Sequence, residues 1–222
     1  MDIQRFIEIQ LELSKKLNLK DRKDVKFFKF MAGIDCTFMD VEDKTLGISC
    51  IVVMDREFNV LEINYGEVFV DVPYIPTFLA FREIPVVMEA YQKMRISPDV
   101  FIFDGQGILH PRKMGIASHF GIMTDTVTVG CGKSYLYGRC EEPSNVPLAK
   151  SPVFVDGEVR GYSLRVKKST NPIFVSPGNN ISLESSLYVI INSLGRYKLP
   201  EPIRLAHNLL KVYRNKVLEE LR

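Results

Sequence analysis

The chain holds four cysteines in 222 residues, and none stands in a C-x-x-C pair or a paired Cys/His cluster. Cys36, Cys50, Cys131 and Cys140 therefore suggest neither a zinc site nor the framework of a small disulfide-stapled domain. They read as reduced thiols, each a small buried apolar residue, in a cytoplasmic protein. Long apolar runs are missing as well. The longest, such as residues 50–54 and 187–191, fall far short of the roughly 18–20 residues of a membrane span. Asp2, Arg5 and Glu8 interrupt the N-terminus, so neither a signal-peptide core nor a membrane partner is expected. Charge of one sign is also scarce. The 29 basic and 27 acidic residues leave a net +2, which does not announce a nucleic-acid binder.

What the chain does have is material for a core. It is 46% hydrophobic and 25% charged, which excludes a disordered protein. No repeat, low-complexity tract or long linker interrupts it, so residues 1–222 read as one α/β domain. Ile3, Phe6, Ile7, Leu13 and Leu17 fall near one face and predict an amphipathic helix over 2–18. The basic run over 15–29 reads as a solvated surface.

Alternation and β-branching over 31–38, 46–54 and 59–65 predict a three-strand antiparallel meander. A proline-bracketed stretch over 72–76 ends it. A helix follows over 78–94, with Pro85 as a kink or as the start of a second piece. The apolar run over 100–103 and the segment 126–131 read as buried strands. A short helix lies between them, so they are expected to be parallel. Shorter strands are expected over 153–155, 161–166 and 172–176, with Asp156-Gly157 as a hairpin turn. Two helices close the chain, over 181–193 with Ser182 as N-cap and from about 202 to 221. The expected fold class is α/β: a mixed sheet, meander first and parallel strands after, with helices on both faces.

Four residues stand out chemically. Asp35 is a carboxylate inside an apolar strand, and burying it alone would be costly. Asp104 closes a buried strand before Gly105-Gln106-Gly107. That is where α/β sheets gather their sites, and equally where a turn residue belongs. Glu83 taken alone is an exposed helix glutamate, and His207 alone a packed, hydrogen-bonded histidine. In combination, carboxylates without a thiolate cluster select hard cations, Mg²⁺ or Mn²⁺. Carboxylates converging on such ions form sites for phosphodiester hydrolysis. The element order, with Asp35 in the first strand and Asp104 closing the fourth, looks like the ribonuclease H-like nuclease fold.

Eight motifs then occur in the order found in endonuclease V. They are Gly33-Ile34-Asp35-Cys36-Thr37-Phe38, Pro73-Tyr74-Ile75-Pro76, Leu79-Ala80-Phe81-Arg82-Glu83, Phe103-Asp104-Gly105-Gln106-Gly107, His110-Pro111-Arg112-Lys113, Gly115-Ile116-Ala117-Ser118-His119, Gly132-Lys133-Ser134 and Arg204-Leu205-Ala206-His207. The chain resembles that family from about residue 30 to 210.

The resemblance implies a Mg²⁺-dependent enzyme, with Mn²⁺ as substitute, that repairs DNA containing deoxyinosine. It implies hydrolysis of the second phosphodiester bond 3′ to the lesion, leaving 3′-hydroxyl and 5′-phosphate ends. Asp35, Glu83 and Asp104 match the metal carboxylates, and His207 matches the fourth active-site residue. Lys133 matches a lysine near the scissile phosphate. Pro73, Tyr74, Ile75 and Pro76 match the family's DNA wedge, and Gly105, Gly107, Ile116 and Leu136 would line the base pocket. Arg112, Lys113, Lys133, Lys167 and Lys168 are expected as a basic rim around an acidic pit. Two residues depart from the family pattern: Thr77 where Gly is common, and Gly132 where Ala is frequent. The alternatives are an inosine-directed ribonuclease, whose partner would be inosine-containing RNA, and a catalytically silent nucleic-acid-binding module. A monomer is expected.

Overall fold

A computed structural model describes residues 2–220. Helix α1 (Ile3–Ser14) and a single 3-10 turn (Val25–Phe27) lead into three long strands, β1 (Met31–Val41), β2 (Lys44–Met54) and β3 (Val60–Val70). Then come α2 (Leu79–Tyr91), β4 (Val100–Phe103), α3 (Ile116–Thr124), β5 (Thr128–Gly132), β6 (Ala149–Val155), β7 (Glu158–Arg165), β8 (Ile173–Asn179), α4 (Leu183–Asn192) and α5 (Glu201–Glu220). The strands form one sheet in the order β3-β2-β1-β4-β5-β8-β7-β6. β4 and β5 run parallel to β1, and the strands at either side of this centre are antiparallel.

Alternation puts Ala32 and Ile34 of β1 on one face, where α2 and α3 cover them. Phe101 and Phe103 of β4 join that core and meet Phe120 of α3 with tilted and edge-on rings. Burying each such side chain contributes roughly 1.5–3 kcal/mol. On the opposite face, α5 covers Ile48, Cys50 and Val52 of β2 through Ala206, Leu210 and Val217. There too, α4 and the start of α5 cover Val100, Ile102 and Val129. Helices thus lie on both faces.

Several boundaries differ from the sequence expectation. Helix α1 stops at Ser14, not 18. Lys15, Lys16 and Leu17 bond to carbonyls three residues back, tightening the last turn, and Asn18 bonds onward to Asn179 and Asn180. The meander strands run longer, because β1 pairs along the whole of β2 and β3 pairs with it from Thr45 to Met54. α2 is unbroken through Pro85, which lies exposed on its outer side, and it ends at Tyr91. The end of the last helix at Leu221 lies outside the described residues. In the basic run, Arg22 pairs with Asp125 and Lys23 with Asp99, so part of it is tied down. All four cysteines are free; Cys50 and Cys131 are buried, and Cys36 and Cys140 only partly. No helix among the described residues is long and apolar enough to cross a membrane.

Candidate active site

Register places the two aspartates side by side. β1 and β4 pair in parallel up to Ile34 and Phe103, and the Asp104 N–H donates to the Ile34 carbonyl at 3.1 Å. Asp35 and Asp104 are the next residues of the two strands.

His207 reaches them because of a glycine. A Cβ on Gly33 would stand 2.1 Å from the Pro202 carbonyl carbon, so only glycine lets the start of α5 rest on β1. Two strand residues onward is Asp35, about 7 Å along the chain. Four helix residues beyond Ile203 is His207, about 6 Å along the axis. The spacings match, and His207 Nδ1 meets Asp35 Oδ2 at 2.7 Å across 172 residues of sequence. The other Asp35 oxygen accepts the Cys36 N–H at 3.0 Å. The Asp35 side chain is 11% exposed.

Glu83 comes from the other face, on the second turn of α2. Its carboxyl is pushed up to about 8 by burial first, then by the charges of Asp35 and Asp104, against the pull of Arg82. Asp104 rises to about 6. Burial and Asp35 raise it, while Lys133 and His207 draw it back. Lys133 follows directly after β5 and forms an ion pair with Asp104. Burial works against its ammonium, but Asp104 and then Asp35 outweigh that and raise its pKa. The structure thus brings Asp35, Glu83, Asp104, Lys133 and His207 together from β1, α2, β4, β5 and α5.

Mutual repulsion of buried carboxylates marks negative charge that the protein compensates incompletely. A divalent cation would complete it. The donors on offer are oxygens, which suit a hard ion. The neighbouring Cys36 thiol is raised well above its usual range by burial and by the same carboxylates. Among the described residues, no three acidic, histidine or cysteine groups already stand as a metal cage. The Lys133 ammonium engages Asp104 and the His207 ring meets Asp35, so side chains of the protein already take up two of the carboxylates.

A cavity of about 240 Å³ opens beside the cluster. Asp104 and Lys133 line it together with Tyr74, Pro76, Thr77, Gly105, Ile116 and Leu136. Gly105 keeps it open, since a Cβ there would come within 2.7 Å of the Ile116 side chain. Gly107 lies elsewhere, which corrects its expected place in the pocket. It packs against the Pro177 carbonyl of β8, and its N–H donates to Ser176 Oγ at 3.0 Å. Its missing side chain serves strand packing. Pro73 and Ile75 are also outside the wall, although Tyr74 between them is 67% exposed at the mouth.

Of the two departures from the family pattern, Thr77 stands where the backbone favours glycine and Gly132 stands where a side chain would clash. Thr77 has φ of +70°, the left-handed region that favours glycine. Gly132 seats the buried side chain of Gln106, whose Nε2 would stand 2.1 Å from a Cβ at that position. Gln106 Nε2 donates to the Ser134 carbonyl at 3.2 Å, and its Oε1 has no partner among the described residues. The expected basic rim is only partly a rim. Arg112 turns inward and stacks on Phe78, Lys113 pairs with Glu158, and Lys167 donates to the Arg196 carbonyl. Sequence reasoning passed over Gln10 and Gln106. A glutamine in an amphipathic helix carries no signal. Gln106, between two glycines, could have been suspected as a side chain in a tight wall.

The mixed sheet, with a carboxylate cluster beyond the paired ends of β1 and β4, defines a ribonuclease H-like protein. The sequence model of the endonuclease V family matches residues 11–208, and the chain belongs to that family of nucleases. Endonuclease V of Dictyoglomus turgidum is 40% identical over 213 residues, which cover 96% of this chain and 91% of that one. The crystal structure of endonuclease V from Bacillus subtilis superposes with a TM-score of 0.94 at 33% identity, covering 99% of this chain and 95% of the other. Endonuclease V of Ciona intestinalis, solved in complex with a 24mer DNA containing an inosine followed by a ribo-adenosine, gives a TM-score of 0.84 at 26% identity, covering 97% and 98%.

Proposed function

We propose that this chain is a metal-dependent endonuclease that finds deoxyinosine in DNA and hydrolyses the second phosphodiester bond on its 3′ side, leaving 3′-hydroxyl and 5′-phosphate ends. It acts as a cytoplasmic monomer, one site sufficing to nick one strand. The observation that carries the reading is that Asp104 and Lys133 belong to both the carboxylate cluster and the cavity wall. A base held in the cavity therefore keeps its backbone beside the charged groups. The inosine-containing DNA bound to the Ciona relative supports the choice of lesion.

Asp35, Glu83 and Asp104 would hold Mg²⁺ or Mn²⁺. Bound there, the ion supplies charge neutralisation at the phosphate and lowers the pKa of an attacking water. His207 fixes the orientation of the Asp35 carboxylate through the 2.7 Å contact. Lys133, once Asp104 releases it, offers its ammonium to the charge that develops on the phosphate. Tyr74 stands on a loop that Pro73 and Pro76 stiffen, so its ring can fill the stack an extruded base leaves. The cavity is smaller than the roughly 300–1,000 Å³ of drug-sized sites, which suits a single base. Hypoxanthine differs from adenine in carrying O6 and an N1–H. Backbone groups at Gly105 can approach that edge, with Ile116 and Leu136 as apolar walls.

The test is a duplex bearing one deoxyinosine, incubated with Mg²⁺, Mn²⁺ or EDTA. Nicking is expected with either ion and none in EDTA, and Asp104→Ala should abolish nicking while retaining binding. Absence of any metal-dependent nicking overturns the reading. The ribo-adenosine in the Ciona complex makes an RNA arm necessary. Preferential cutting of inosine-containing RNA would make the chain an inosine-directed ribonuclease.

A further inference from the structure

Nine non-glycine residues among those described have positive φ, and Thr77 is the one with a β-branched side chain. Such a residue resists this conformation most, so something must hold it. Its backbone carbonyl accepts Gln10 Nε2 at 3.0 Å and His110 Nε2 at 2.9 Å. Its hydroxyl accepts Arg112 Nη2 at 2.8 Å. The holders are themselves held. Arg112 Nε donates to Gln10 Oε1 at 2.5 Å, and Gln10 Nε2 also lies 3.4 Å from the Met114 carbonyl. His110 Nδ1 accepts the N–H groups of Arg112 and Met114 at 3.2 and 3.3 Å, which leaves the ring proton on Nε2, toward Thr77.

Gln10 is the only fully buried residue of α1, a helix that gives no side chain to the carboxylate cluster or to the cavity wall. A helix that buries just one residue, and that one polar, is spending it on a specific contact. The contact is with the residue that follows Tyr74, Ile75 and Pro76.

We infer that Gln10, acting with Arg112 and His110, braces Thr77 in its left-handed conformation and so sets the Tyr74–Pro76 loop at the cavity mouth, making Gln10 a positioning residue for lesion recognition. The inference rests on the function proposed above only in its last step. It does not make Gln10 a catalytic residue, since Gln10 is neither part of the cluster nor exposed to the cavity and acts on its wall from behind. The brace lets a threonine stand where the backbone calls for glycine.

The test is a double-substitution cycle with Gln10→Met, Thr77→Gly and the pair. Two quantities are read: hydrogen–deuterium exchange over residues 72–78, and the ratio of affinities for deoxyinosine-containing and undamaged duplexes in EDTA. With Thr77 in place, Gln10→Met should speed exchange and reduce the ratio, each by about tenfold. In the Thr77→Gly background, where glycine reaches positive φ freely, the same change should alter both by less than about twofold. Gln10→Glu keeps an oxygen for Arg112 and removes the amide that donates to the Thr77 carbonyl at 3.0 Å and lies 3.4 Å from that of Met114, so it should reproduce the effect with the fold intact. Equal losses in both backgrounds, or an unaffected loop in Gln10→Glu, overturn the brace. If exchange follows the cycle while the unsubstituted protein ignores deoxyinosine, the brace stands and the proposed substrate falls.

Discussion

A carboxyl pushed up to about 8 is a group that folding prefers to keep protonated, and Glu83 is that group here. Between its ordinary value near 4.5 and about 8, the folded protein binds more protons than the unfolded chain. Stability from this residue is therefore full at low pH and lost as pH rises through the window. Glu83→Gln should melt several degrees above the parent at pH 8 without metal, with the gap closing toward pH 4.5, while nicking is lost. Added Mg²⁺ should raise the melting point of the parent alone. Equal melting curves at pH 8 would remove the electrostatic strain from Glu83. Tyr74 belongs to the same scale. A base–aromatic stack is worth about 1–3 kcal/mol, so Tyr74→Ala should weaken lesion-specific binding by that much. Unchanged discrimination between inosine and adenine duplexes would take the wedge role away from Tyr74.

Helix α5 owes its seat on β1 to one missing side chain. Gly33→Ala would drive a methyl group into the Pro202 carbonyl, forcing the helix outward at a cost of about 1–3 kcal/mol. His207 would then leave Asp35, and activity should fall with the melting temperature. His207→Ala removes the same contact without moving the helix. Its side chain is 53% exposed, so activity should fall while the melting temperature stays. A thermal melt of both variants beside the nicking assay separates the two. Normal activity in Gly33→Ala would show that α5 does not need this approach. α2 meets a different constraint. Pro85 removes one helical hydrogen bond, yet it lies on the exposed side, and Ile84, Val86 and Val87 stay buried around it. The helix stays in one piece and delivers Glu83.

Across the whole molecule, acid sensitivity should trace to two buried histidines. His110 and His119 are 2% and 5% exposed, and burial lowers each to about 4 from an ordinary value of 6.5. The unfolded chain takes up these protons first, so stability is complete above about 6.5 and lost as pH falls toward 4. The loss is at most roughly 3 kcal/mol for each residue. Urea melts from pH 7 to pH 4 should show this limb, and His119→Gln should flatten it. An unchanged limb would assign it to other groups.

Local pattern made most elements legible. Alternation and β-branching marked the strands near 31–38 and 46–54, and the apolar run at 100–103 matched β4. Asp35 and Asp104 stood out because charge interrupts apolar strands, and ordered motifs made Glu83, Lys133 and His207 candidates. These are properties of short segments, written in the period of side chains along one element. Tertiary structure decided the rest. Asp35 neighbours Asp104 only through the parallel register of β1 and β4, and His207 reaches Asp35 only because Gly33 admits α5. Gly105 and Gly107 are alike in sequence, yet one faces the cavity and the other packs against β8. Thr77 holds an unfavourable backbone through partners from α1 and from the loop before α3. Local preference is set by neighbours in the chain. Register, facing and close approach are set by what packs across it, and that information belongs to pairs of distant residues.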